Sequence, residues 1–123
     1  MIRGEVDPYD QAIIPLHVRR PDGQWEKMEV VVDTGFTGYL TLPPARIAAL
    51  QLPFQQRQTY TLGDGTDVEF DVHLATILWE GQDRDVAVLA ADGELLTGMR
   101  MLRGHRLLID VIDGGEVLIE ARP

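Results

Sequence analysis

The sequence contains no cysteine among its 123 residues. This absence excludes disulfides, thiolate catalysis and zinc sites built from cysteine. Long apolar runs are absent too, because the longest uninterrupted stretch, Val86 to Ala91, is far shorter than the roughly 20 residues that span a bilayer. We therefore expect a chain without covalent cross-links and without membrane-spanning helices.

Positive charge is scarce. Acidic residues outnumber Lys and Arg by 20 to 11, which leaves a net charge of -9. Proteins that bind nucleic acid neutralise phosphates with Lys and Arg, and anionic membrane surfaces attract the same residues. The charge therefore argues against nucleic acid and against a membrane as partners.

The remaining composition is that of one folded domain. Apolar residues make up 45% and charged residues 25% of a chain whose length suits a single core, so we expect one domain over residues 1–123. The segment Met1 to Glu5 lacks the charged and then apolar pattern of a secretory signal. These features predict a soluble, cytoplasmic protein.

Apolar runs rich in Val, Ile and Leu recur between clusters of Gly, Pro and Asp, which predicts an all-β fold of seven or eight strands. Ile2–Val6 and Ile13–Arg19 are predicted to form the first strand pair. A short helix is predicted over Ala45–Leu50, because the preceding Pro44 suits a first helical turn, and a single helical turn over Met99–Gly104.

A hairpin is predicted around Gly63-Asp64-Gly65-Thr66, because glycines lie here between two alternating segments, Gln58–Leu62 and Asp67–Val72. An Asp between glycines is most often a turn residue. A further strand pair, His73–Trp79 with Asp85–Leu89, is predicted to follow.

The run Val30-Val31-Val32-Asp33-Thr34-Gly35 places a carboxylate at the end of an apolar strand. An isolated carboxylate away from water is costly unless it is paired or protonated, and a glycine permits the sharp bend that follows. Asp33 is therefore a candidate catalytic residue that requires a partner. The simpler alternative is a tight turn, which Asp and Gly commonly form at a strand end.

Three features occur in order along nearly the whole chain: the strand into Asp33-Thr34-Gly35, the glycine-tipped hairpin, and Leu95-Leu96-Thr97-Gly98 before a short helix. In this order they resemble the retropepsins and their bacterial relatives, aspartic proteases that carry one Asp-Thr-Gly per chain. The resemblance implies an all-β, closed acid-protease barrel with one or two short helices and a flap hairpin. It also implies an aspartic endopeptidase that needs no cofactor.

Peptide hydrolysis at such a site needs one carboxylate to activate water and one protonated carboxyl to polarise the carbonyl. This chain has a single Asp-Thr-Gly, so the resemblance implies a homodimer that joins two Asp33 residues across a twofold axis. Thr34 would then hydrogen-bond across the axis, and Gly35 would let the carboxylates lie nearly coplanar. Gly63, Asp64 and Gly65 would close over a polypeptide substrate.

Leu96, Gly98 and Phe36 are expected to support the catalytic loop, although the match to the family is imperfect. Phe36 stands where relatives usually have Ala or Ser, and Thr97 replaces an apolar residue. Arg100 lies one position beyond the Arg that commonly follows this glycine. These departures leave a second hypothesis open, a binding or assembly module that keeps the fold without catalysis.

Other polar residues have simpler interpretations. His17, His73 and His105 show no metal-ligand spacing, so no metal site is predicted. Asp92 and Glu94 are interpreted as part of a solvated turn.

Overall fold

The computed structural model describes all residues, 1–123, and contains ten strands and two short helices. The strands are β1 (Ile2–Val6), β2 (Ala12–Arg19), β3 (Trp25–Val32), β4 (Leu40–Leu42), β5 (Phe54–Thr61), β6 (Asp67–Trp79), β7 (Gln82–Ala90), β8 (Leu96–Thr97), β9 (His105–Ile109) and β10 (Glu116–Ala121). The helices are α1 (Pro44–Ala49) and α2 (Met99–Leu102).

The strands form one sheet in the order β5-β6-β7-β4-β8-β3-β2-β1-β10-β9. The sheet closes on itself because β6 also pairs with β2, with His17 opposite Leu78 and Val18 opposite Ile77. The closed ring runs through β2, β3, β8, β4, β7 and β6, while β5 extends from one side and β1, β10 and β9 from the other. The prediction of an all-β closed barrel with one or two short helices is confirmed.

The sheet and its helices together bury a core cluster of 20 residues. Strand β2 illustrates its origin, since Ala12, Ile14, Leu16 and Val18 are buried and alternate with partly exposed residues. Successive strand residues point to opposite faces, so alternate apolar positions fill the interior. This period-two pattern is the signal that predicted strands from the sequence.

The hairpin between β5 and β6 lies where the glycine cluster predicts it. The Leu62 N–H donates to the Thr66 carbonyl, and Gly65 has a φ of +84°. The Thr66 N–H donates to the Asp64 carboxylate at 2.9 Å. Hydrogen bonds from the Thr66 side chain and backbone lower the pKa of Asp64. Asp64 therefore stabilises the turn itself, as its position between glycines indicates.

Strand β6 differs from its prediction. The segments predicted as separate strands, Asp67–Val72 and His73–Trp79, form one strand of 13 residues. Its first half pairs with β5 and its second half with β7, so a single strand changes partner along its length. No turn residue separates Val72 from His73, and nothing local breaks the strand.

The pairing of the first strand also differs from its prediction. Strand β1 pairs with β2 only through Glu5 and Val6, whereas it pairs with β10 from Ile2 opposite Ile119 to Glu5 opposite Glu116. The dominant partner of β1 is thus more than a hundred residues away, and local sequence carries no signal for it.

The helices are close to their predicted positions. Helix α1 begins at Pro44 and ends at Ala49. Helix α2 ends at Leu102, before Gly104, which has a φ of +82° that a helix does not accommodate. Neither helix is long and apolar enough to cross a membrane.

Glu80 connects three parts of the chain that are distant in sequence. One carboxylate oxygen of Glu80 lies 3.1 Å from the N-terminal ammonium of Met1, and the other lies 2.6 Å from His105 Nε2. Desolvation raises the pKa of Glu80, but the hydrogen bonds and charges of the ammonium and His105 together outweigh it and hold the pKa below its ordinary value of 4.5. The ionised form of Glu80 therefore stabilises the fold.

Replacing Glu80 by Gln is expected to lower the free energy of unfolding at neutral pH. Because the pKa of Glu80 is lower in the folded chain, this contribution is fully present above the unfolded pKa and is lost as the pH falls through the folded pKa. Urea unfolding at about pH 7 and about pH 3 should show the gap between wild type and Glu80→Gln closing in acid. Glu69→Gln, on the exposed side of β6, is the matched control, and a pH-independent gap for Glu80→Gln would contradict the prediction.

Candidate active site

Asp33 lies immediately beyond β3, and its backbone is held by β8. The two strands are parallel, with Val31 opposite Leu96 and Val32 opposite Thr97. The Asp33 N–H continues this ladder by donating to the Thr97 carbonyl at 2.9 Å. Since parallel strands end at the same edge of a sheet, Asp33 and Gly98 emerge side by side.

The Asp33 loop, residues 33–38, turns sharply over the carboxylate of Asp33. The Gly35 N–H donates to Asp33 Oδ1 at 2.9 Å, and the Phe36 N–H donates to the Asp33 carbonyl at 3.2 Å. A Cβ atom on Gly35 would lie only 3.2 Å from Asp33 Oδ1. The absence of a side chain at residue 35 thus lets a backbone donor orient one carboxylate oxygen, while Asp33 remains partly exposed.

The Gly98 segment, residues 98–100, comprises Gly98 and the first two residues of α2, and backbone hydrogen bonds join it to the Asp33 loop. Three N–H groups of the Gly98 segment donate to carbonyls at or next to the Asp33 loop: Gly98 to Tyr39 (3.1 Å), Met99 to Phe36 (2.8 Å) and Arg100 to Gly38 (3.1 Å). The position of Asp33 therefore depends on a segment more than 60 residues further along the chain.

Hydrogen bonds of Thr97 and Thr41 hold the chain that leads into the Gly98 segment. Thr97 is completely buried, and its hydroxyl donates to the Tyr39 carbonyl at 3.0 Å. The Thr41 hydroxyl accepts from the Leu96 N–H at 3.0 Å and donates to the Glu94 carbonyl at 3.3 Å. Sequence reasoning treated Thr97 only as a departure from an apolar residue and missed Thr41. A Thr in an apolar strand gives no local sign that its hydroxyl has a partner.

Phe36 occupies space that two glycines leave free. Atoms of its ring would lie 2.5 Å from a Cβ on Gly38 and 2.6 Å from a Cβ on Gly98. The large side chain of residue 36 is therefore accommodated between the Asp33 loop and the Gly98 segment, because both facing positions are glycines. The same Cβ on Gly98 would lie 2.5 Å from the carbonyl oxygens of both Gly38 and Phe36.

A cavity of about 380 Å³ opens beside Asp33. It is lined by Val6, Asp10, Gln11, Ala12, Val31, Val32, Asp33, Thr34, Glu94, Leu96, Ile109 and Val111. The structure thus brings together three of the predicted site residues, Asp33, Thr34 and Leu96. The residues of the flap tip, Gly63 to Gly65, do not line this cavity.

The remaining predicted residues lie at other places around the loops. Gly35 turns the Asp33 loop, and Phe36 and Gly98 pack together where the Asp33 loop meets the Gly98 segment. Glu94, which the sequence assigned to a solvated turn, is exposed but also lines the cavity. No group of three or more His, Cys, Asp or Glu side chains is arranged to hold a metal ion.

Comparison with solved structures gives a similarity, whereas comparisons with family models and curated proteins give none. Among solved structures, the chain is similar to the solution structure of the protease of simian foamy virus (mac). The identity is 22%, the match covers 68% of this chain and 86% of that chain, and the TM-score is 0.46.

Gly98→Ala is expected to lower the free energy of unfolding by about 1–3 kcal/mol, because the new methyl group meets two backbone carbonyls that cannot move without shifting the Asp33 loop. Gly63→Ala is the matched control, since a Cβ there has no heavy atom within 4 Å. Its effect should stay within about 0.5 kcal/mol. Urea unfolding measures the free energy of unfolding of both variants. Equal values would contradict close packing of the Gly98 segment against the Asp33 loop.

Proposed function

We propose that the chain is one subunit of a homodimeric aspartic endopeptidase in which two Asp33 carboxylates activate a water molecule. The observation that carries the proposal is the setting of Asp33. Its backbone is held by β8, one of its carboxylate oxygens is oriented by the Gly35 N–H, and its side chain borders an open cavity. A merely structural turn would not require that cavity.

The chemistry follows from two carboxyl groups in one site. Like charges held close resist ionising together, so the pair retains one proton. The ionised carboxylate takes a proton from water, whose oxygen attacks the carbon of the scissile carbonyl. The protonated carboxyl donates a hydrogen bond to the carbonyl oxygen. The carboxyl that took the proton from water then passes it to the leaving nitrogen as the C–N bond breaks. One Asp33 cannot perform both roles, and the second copy supplies the other.

Apolar side chains at the edge of the cavity support a second copy as the partner. Val111 and Ile112 follow β9 and are 65% and 66% exposed, and Val111 also lines the cavity beside Asp33. Exposed apolar surface next to an incomplete site favours association, and a twofold contact presents the same patch from both subunits. The net charge of -9 on each copy opposes this contact, so the dimer should strengthen with added salt.

The hairpin between β5 and β6 is proposed as the flap over an extended polypeptide. Its tip, Gly63 to Gly65, is exposed, and the residues of β5 are also mostly exposed. The turn is held only by its own hydrogen bonds, which leaves it free to move as a unit over a bound peptide. Closure would exclude water from the carboxylates during the reaction.

Asp33→Asn should reduce cleavage by about 10³-fold or more, because the amide neither accepts the proton of water nor shares one with its partner. The assay uses an unstructured polypeptide below neutral pH, with a statine-type inhibitor as a second means of stopping the reaction. Asp22→Asn, in an exposed turn, is the control and should cleave normally. Cleavage that persists in Asp33→Asn rejects the proposal. Peptide binding without cleavage by the wild-type protein would favour the binding-module hypothesis.

Ile112→Asp should weaken the dimer and reduce cleavage in parallel, because it places a charge in the proposed apolar contact of two acidic chains. Sedimentation across protein concentrations measures the dissociation constant, and the specific activity should follow the dimer fraction. Phe54→Asp, on β5 at the opposite edge of the sheet, changes a similarly exposed apolar residue and should leave the dimer intact. Full activity of an Ile112→Asp monomer would refute the two-subunit site.

A further inference from the structure

The cavity beside Asp33 combines an apolar wall with negative charge. Seven of its lining residues are apolar: Val6, Ala12, Val31, Val32, Leu96, Ile109 and Val111. Three others are acidic, Asp10, Asp33 and Glu94, and no Lys, Arg or His lines the cavity. A purely apolar peptide side chain would pack against the apolar wall but would leave the acidic side chains without a counterion.

Glu94 is the acidic residue whose position is best defined, apart from Asp33. Nε2 of Gln11 lies 2.9 Å from one carboxylate oxygen of Glu94 and 2.8 Å from the other. The Glu94 carbonyl accepts a hydrogen bond from the Thr41 hydroxyl. Backbone and side chain are therefore both anchored, and the carboxylate is held at the cavity although it lies on an exposed loop.

The negative charge of Glu94 has no counterion within the chain. The side chains of six arginines form ion pairs elsewhere: Arg3, Arg19, Arg20, Arg46, Arg57 and Arg106. Gln11 is neutral, so it orients the carboxylate of Glu94 without compensating its charge. The site thus presents a fixed anion that remains available to a cation from outside the chain.

We propose that Glu94 is a specificity-determining residue that selects peptides carrying a long cationic side chain, lysine or arginine, next to the bond that is cut. The aliphatic stem of such a side chain would lie on the apolar wall, and its charged end would meet the Glu94 carboxylate. This inference rests on the proposed peptidase site, because it assigns the cavity to substrate.

The choice of a peptide cation follows from the shape and chemistry of the cavity. A metal ion would need converging oxygen ligands, and no such group exists here. A small inorganic cation would leave the apolar wall uncovered. A side chain with a methylene stem and a terminal cation matches both parts, and it comes from a polypeptide, the substrate class already proposed for Asp33.

Binding is measured with the full-length Asp33→Asn protein, so that no peptide is consumed. The probes are fluorescently labelled octapeptides of alternating alanine and leucine in which one central residue is lysine, arginine or norleucine. Norleucine keeps the stem of lysine and removes its charge. The lysine and arginine peptides should bind about fivefold more tightly than the norleucine peptide at low salt, the scale of an exposed ion pair, and the advantage should shrink as salt is added.

Adding Glu94→Gln should bring the affinity ratio close to one, because the amide retains the shape of the side chain without its charge. Glu26→Gln is the matched control. It makes the same change at the far end of β3 from Asp33, and it should leave the ratio unchanged.

Equal binding of the charged and uncharged peptides by the Asp33→Asn protein would overturn the inference, and so would binding of neither. An unchanged affinity ratio of cationic to norleucine peptide in the Glu94→Gln variant would also overturn the inference. If Glu94→Gln instead weakens the dimer and leaves the ratio intact, the carboxylate serves the second subunit. Failure of the wild-type protein to cleave any peptide would reject the peptidase proposal alone, because the binding preference is measured without catalysis.

Discussion

The backbone hydrogen bonds between the Asp33 loop and the Gly98 segment determine where Asp33 lies. Residues 98–100 donate to carbonyls of residues 36–39, and the Asp33 N–H donates to Thr97. These bonds require close approach of two chain segments, which Gly98 permits because a side chain there would collide with the facing carbonyls. The burial of Thr97, the packing of Phe36 and the orientation of the carboxylate all depend on this crossing.

Charge is distributed so that the proposed site stays anionic. Arginines pair with acids on outer surfaces, whereas Asp10, Asp33 and Glu94 border one cavity that no basic residue lines. Association of two such chains must overcome mutual repulsion, for which exposed Val111 and Ile112 offer apolar surface. The same negative charge would attract a cationic peptide. It therefore weakens association of the proposed dimer and strengthens binding of the proposed cationic substrate.

Local sequence patterns predicted much of the fold. Alternation predicted β2, glycines located the hairpin at Gly63 to Gly65, and Pro44 marked the start of α1, because each signal acts over a few residues. The pairings that local pattern missed are long-range. The main partner of β1 is β10, and β6 runs unbroken from its pairing with β5 to its pairing with β7. Strand propensity specifies extended backbone, but it does not specify which edge the strand joins.

By itself, the sequence determined that the chain is rich in β-structure, carries a single Asp-Thr-Gly and has an excess of acidic residues. Only the tertiary structure decided what surrounds Asp33. The parallel pairing of β3 with β8 places Gly98 beside it, and the position of β3 between β2 and β8 brings Gln11 onto Glu94, a residue 83 positions away. Contacts between distant segments depend on which strands become neighbours in the sheet, and a Gln or Glu in a loop has no local feature that reveals its partner.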